Sequence, residues 1–149
     1  TARQRGRGMS SMSVEFVDTN VQVYARDEHA GVKRAPAARL LEQLWRDKRG
    51  ATSIQVLCEF YAVTTQKLRS PLSPEDARLV VHSLSQWCVH APSSLDVLRA
   101  GELAQRYRLS FWDAMIVRSA IALECSVLWS EDFQDGAVYD GVTVRNPFK

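Results

Sequence analysis

No stretch of this chain approaches the roughly 20 consecutive apolar residues needed to cross a bilayer. Its opening, Thr1-Ala2-Arg3-Gln4-Arg5-Gly6-Arg7-Gly8, lacks the apolar core of a secretory signal. The default expectation is a cytoplasmic protein. Cysteine is sparse and odd in number: Cys58, Cys88 and Cys125, with no Cys-x-x-Cys pair. That argues against both a disulfide framework and a zinc site. Each cysteine lies in apolar sequence, where a reduced thiol is expected to pack as a small hydrophobe. Neither Gly-x-x-x-x-Gly-Lys nor Gly-x-Gly-x-x-Gly occurs, so P-loop and dinucleotide readings have no support. No serine sits in a Gly-x-Ser-x-Gly elbow, and His29, His82 and His90 lack ligand spacing. A haloacid-dehalogenase-like phosphatase would want a second Asp two residues after its strand-end Asp; Asn20 stands there instead.

A clear excess of charge is missing too. The pI is about 8.5, but Arg3, Arg5 and Arg7 supply the excess. Beyond residue 8 the basic count falls from 19 to 16 against 17 acids. Net charge therefore says nothing about a nucleic-acid partner. Thr1 is not an initiator, whereas Met9 or Met12 could serve as one. Residues 1–12 are expected to be a disordered segment or an appended remnant, and residues 13–149 a single domain. With 149 residues, 46% hydrophobic and 24% charged, the chain is long enough to bury a core.

Apolar patterning supplies the elements. Val14 to Val17 reads as a short buried strand ending at Asp18, followed by a short helix through Tyr24. Ala37, Leu40, Leu41, Leu44 and Trp45 mark an amphipathic helix within Lys33–Lys48, with Pro36 in its first turn and Gly50 at its end. Ala51-Thr52-Ser53 reads as a very short strand or the entry to a helix running to about Lys67. Ser73, Pro74, Glu75 and Asp76 start another, to about Gln86. Cys88 to Ala91 suits a second-layer strand, and Ser93 or Ser94 caps a helix to Tyr107. Ser110-x-x-Asp113 opens a helix apolar on most sides and therefore central. Ser126 to Trp129 and Val142 to Val144 close the strand set. Strands alternating with helices predict a parallel sheet covered on both faces, an α/β fold.

Four acids sit where such a chain would gather side chains: Asp18, Glu59, Asp113 and Asp132. Carboxyl ends of parallel strands share one edge, where open α/β folds bind ligands. Clustered carboxylates repel unless protons or a cation neutralise them, and hard Mg²⁺ or Mn²⁺ suits their oxygens. Each acid also has a plainer reading. Asp18 can cap the next helix, and Glu59 can share a solvent face with Gln55. Asp113 fits a capping box with Ser110, and Asp132 and Asp135 fall in an ordinary acidic loop.

Four segments carry a family likeness. Phe16-Val17-Asp18-Thr19-Asn20-Val21, Ile54-Gln55-Val56-Leu57-Cys58-Glu59-Phe60-Tyr61, Ser110-Phe111-Trp112-Asp113-Ala114-Met115-Ile116-Val117 and Leu128-Trp129-Ser130-Glu131-Asp132-Phe133-Gln134-Asp135-Gly136 resemble the successive motifs of PIN domains. The nearest group is the VapC-like toxins of bacterial toxin–antitoxin pairs, and the similarity runs from about Val14 to Phe148. The resemblance implies a three-layer α/β/α sandwich with a mainly parallel sheet. It implies a Mg²⁺- or Mn²⁺-dependent ribonuclease, a homodimer, and inhibition by a cognate antitoxin protein. All four acidic positions are present. Asp18, Glu59, Asp113 and Asp132 match the ligands, with Asp135 accessory and Thr19, Asn20 and Ser130 in support. An RNA substrate needs cationic neighbours for its phosphates, for which Lys67, Arg69, Arg108 and Arg118 are candidates. A non-catalytic protein- or RNA-binding module, and a metal-dependent DNase or phosphatase, remain open alternatives.

Overall fold

The computed structural model describes residues 13–149; the expectation for residues 1–12 lies outside them. Six strands form one sheet: β1 (Glu15–Val17), β2 (Gly50–Ser53), β3 (Cys88–His90), β4 (Val127–Trp129), β5 (Val138–Tyr139) and β6 (Val142–Arg145), in the order β3-β2-β1-β4-β6-β5. All neighbours run parallel except β5, which pairs antiparallel with β6. The helices are α1 (Thr19–Tyr24), α2 (Arg34–Arg46), α3 (Ile54–Gln66), α4 (Pro74–Leu84), α5 (Ser94–Tyr107) and α6 (Phe111–Ala122), with a 3₁₀ turn at Gly31–Lys33 before α2. No helix among the described residues is long and apolar enough to cross a membrane.

Successive strand side chains point to opposite faces, so adjacent residues feed two cores. Phe16, Ala51, Leu128 and Val144 face Ala100 and Leu103 of α5 and Ala114, Val117 and Ala120 of α6. Val17 faces the other way, onto Val21 of α1 and Ala37 and Leu44 of α2, with Trp129 and Trp87 against that cluster. Helices on both faces give the α/β/α sandwich that the sequence predicts. Serines start four helices, three of them as expected, and Ser53 is the fourth. The hydroxyls of Ser53, Ser73 and Ser110 receive the N–H of the third residue on, at 3.3, 3.0 and 3.1 Å, and Ser93 shares a capping box with Asp96.

Three expectations need correction. Gly50 does not end α2; Asp47 is the C-cap, Lys48 takes the left-handed turn (φ 55°), and Gly50 begins β2. The indole of Trp87 covers Gly50 so closely that a Cβ there would lie 2.4 Å from the ring. Cys88 starts an edge strand of the one sheet rather than a second layer. Of the cysteines only Cys125 is buried; Cys58 and Cys88 face outward. The strand that sequence reading missed, β5, is two residues long and turns into β6 through Asp140 (φ 47°) and Gly141 (φ 91°). Asp-Gly with both residues left-handed is a favoured hairpin turn.

Strand order reverses at β1, which has β2 on one side and β4 on the other. The crevice outside the carboxyl ends of β1 and β4 is the place where such sheets bind ligands.

Candidate active site

Asp18 follows β1 directly and caps α1, its Oδ1 accepting the Thr19 N–H at 2.7 Å. Its Oδ2 accepts from the hydroxyl of Ser130, the first residue after β4, at 2.8 Å. Ser130 is fully buried and joins the two strand ends. Its oxygen also receives the Asp132 N–H at 3.1 Å and the Asn20 side-chain amide at 3.2 Å. The same amide donates to Asp132 Oδ2 at 3.0 Å. Asp18, Asn20, Ser130 and Asp132 thus form one network, although Asp132 itself is exposed.

The other two acids arrive on helices. Glu59, in the second turn of α3, accepts from the Thr19 hydroxyl at 2.6 Å and from the Gln55 amide at 3.3 Å. Gln55 also donates to the Trp112 carbonyl at 3.3 Å. That contact ties α3 to the start of α6, one residue before Asp113. Gln55 and Glu59 therefore share a face, as the spacing allows, but the face meets Thr19 and α6 rather than open solvent.

Asp18 and Asp113 each feel the charges of Asp132 and Glu59. Burial pushes the Asp18 carboxyl up to about 7, against the pull of Ser130 and the Thr19 N–H, and the charges of Asp132 and Glu59 raise it further. Burial also raises Asp113, with Asp132 and Glu59 adding to it and the Ser110 hydroxyl opposing. The donor set is all oxygen, which fits a hard divalent cation. Among the described residues no three His, Cys, Asp or Glu side chains already converge into a group that could hold a metal ion. Neutral residues bridge the acids instead, as expected of like charges at close quarters.

Two further groups escaped sequence reading. Glu131, between Ser130 and Asp132, accepts from Lys33 Nζ at 2.7 Å and from the Tyr24 hydroxyl. Lys33 also lies 4.9 Å over the Tyr24 ring, and Tyr24 meets Phe148 edge-to-face. This brace fixes the loop that carries Asp132. Nothing in the local sequence announces it, because Lys33 and Glu131 are 98 residues apart. The second group is Asp96, which accepts from the Ser93 N–H at 2.8 Å and from Arg118 Nε at 2.7 Å, with His90 Nε2 at 3.3 Å.

Arg118 is therefore committed to a half-buried ion pair between α5 and α6, whereas Lys67, Arg69 and Arg108 are exposed. Asp135 is exposed as well, and its Oδ1 receives the Asn146 N–H at 2.8 Å, which ties it to the end of β6.

A family model described as PIN domain matches residues 16–135. The chain belongs to the PIN domain family. This PIN domain is similar in fold to a toxin–antitoxin complex from Klebsiella pneumoniae, at 22% identity and TM-score 0.67, covering 89% of this chain and 97% of that one. It is also similar to the VapBC complex of Salmonella typhimurium bound to DNA, at 18% identity and TM-score 0.61, covering 91% and 99%. A third likeness is to VapC20 of Mycobacterium tuberculosis, described as a sarcin–ricin-loop-cleaving toxin, at 19% identity and TM-score 0.57, covering 76% and 85%. No curated protein matches the sequence.

Proposed function

We propose that residues 13–149 form a nuclease domain that hydrolyses RNA phosphodiester bonds with a bound Mg²⁺ or Mn²⁺, and that the protein is the toxin of a toxin–antitoxin pair. The observation that carries this reading is the acid set at the β1–β4 crevice of a PIN domain: Asp18, Glu59 and Asp132 bridged by Thr19, Ser130 and Asn20, with Asp113 raised by burial and by the charges of Asp132 and Glu59. A bound divalent ion would supply Lewis acidity and an activated water. The chain's own residues do the rest. The four acids offer oxygen ligands, while Ser130, Asn20 and Thr19 aim Asp18, Asp132 and Glu59. Asp18 and Asp113, both raised, gain most from a neighbouring positive charge. Exposed Lys67, Arg69 and Arg108 are available to phosphate; Arg118 instead positions α5 against α6. Asp135 serves the β6 end first and the site at most as an accessory.

The toxin–antitoxin assemblies among the structural neighbours support an antitoxin partner, and the sarcin–ricin-loop-cleaving toxin supports RNA as substrate. A cytoplasmic homodimer completes the reading. Asp18→Asn and Asp113→Asn should each lower cleavage of total RNA by roughly 100-fold or more, since loss of a ligand costs at least what loss of its supporting partner does. Expression without the adjacent antitoxin gene should arrest growth and leave discrete new RNA 5′ ends. Full activity in both variants overturns the assignment.

A further inference from the structure

The rim of the carboxylate crevice carries apolar surface for which hydrolysis alone has no use. Trp112 is 63% exposed and Phe111 38% exposed at the start of α6, directly before Asp113. Their rings meet edge-to-face, centroids 5.3 Å apart. The Gln55 amide that holds the Trp112 carbonyl also holds Glu59, so the indole stands on backbone fixed to the acid cluster. Ile54, 44% exposed, opens α3 beside Gln55. A Trp ring left mostly in water forgoes the burial that its large apolar area would otherwise contribute.

We propose that Trp112, backed by Phe111, is a stacking platform for an unpaired base of the RNA whose phosphate enters the crevice. The inference rests on the ribonuclease reading and deepens it by naming a residue that would hold the substrate. A π face is common to every base, so an aromatic platform accepts any of them once unstacked. In an RNA duplex the bases remain stacked on each other and withdrawn from such a surface. A nucleotide stacked here keeps its backbone, with its accompanying cations, over the acids. Arg108, exposed, is separated from the α6 cap Ser110 by Leu109 alone and adds positive charge for the next phosphate.

The test measures binding of a short labelled RNA of mixed sequence, single-stranded or annealed to its complement, by the Asp18→Asn protein in chelator-containing buffer, which keeps the RNA intact. Adding Trp112→Ala should weaken single-strand binding roughly 10-fold or more, as removal of one base–aromatic stack does. Trp112→Phe should restore most of the affinity, and duplex binding should change little in either. Melting curves matching the parent's confirm that an exposed ring was removed without unfolding. Unchanged single-strand affinity in Trp112→Ala overturns the proposal and leaves the surface to a protein partner; equal losses on both RNA forms overturn it as well. Failure of the ribonuclease reading looks different: the wild-type protein then cuts no RNA with either ion.

Discussion

Asp18 is a charge that folding works against. Its carboxyl rises from 3.8 to about 7, chiefly through burial. A folded-state value above the unfolded one means that the native protein holds this proton more tightly. The stability so gained is fully present below the unfolded value and is lost as pH rises through the folded one. Without metal, the protein should therefore lose stability between about pH 4 and about pH 7 on account of this group. Asp18→Asn keeps a good N-cap and cannot ionise. In chelator-containing buffer its melting temperature should match the wild type near pH 4 and exceed it by several degrees near pH 8. Parallel melting-versus-pH curves for the two proteins would show that Asp18 carries no such strain.

Between elements, Asp96 joins three: it completes the α5 cap at Ser93, grips Arg118 of α6 and faces His90 of β3. The Ser93 N–H first, then Arg118 and the His90 charge, hold its carboxyl down at about 2. Its contribution is present above the ordinary 3.8 and fades as pH falls through about 2. Asp96→Asn should cost about 2 kcal/mol in denaturant unfolding at neutral pH, from a weakened cap and one lost charge-assisted bond. Element positions were largely legible because serine caps, Pro74 and the apolar spacing of α2 and α6 are local signals. What was not legible depended on contacts across the chain. Gln55 reads as a plain helix-surface residue until α6 is laid beside α3. Cys58 reads as core until the outward face of α3 is known. Gly50 resembles a helix stop until Trp87 closes over it. The β5 strand was the exception, since Asp140-Gly141 does announce a hairpin locally.

For the molecule as a whole, the crevice is assembled from distant stretches: Asp18 and Ser130 are 112 residues apart, and Thr19 and Glu59 are 40. The sequence supplied the acids and their order, but their bridging by Thr19, Asn20 and Gln55 had to come from the coordinates. A cation that binds only the native state stabilises it by mass action. Mg²⁺ or Mn²⁺ at 100 times its dissociation constant should add about 2.7 kcal/mol and raise the melting temperature by roughly 5–10 °C. Asp113→Asn should shrink that shift, and a wild-type melt indifferent to millimolar amounts of both ions would count against the site. The hub at Ser130 adds a condition of valence. One hydroxyl can give a single hydrogen and receive two. Here the gift goes to Asp18, while Asn20 and the Asp132 amide fill both lone pairs. While both tethers hold, a proton on Asp18 cannot be donated to that oxygen, so it sits on Oδ1 or points away from Ser130. Where that single buried hydrogen can sit is thereby set by a loop from the far end of the chain.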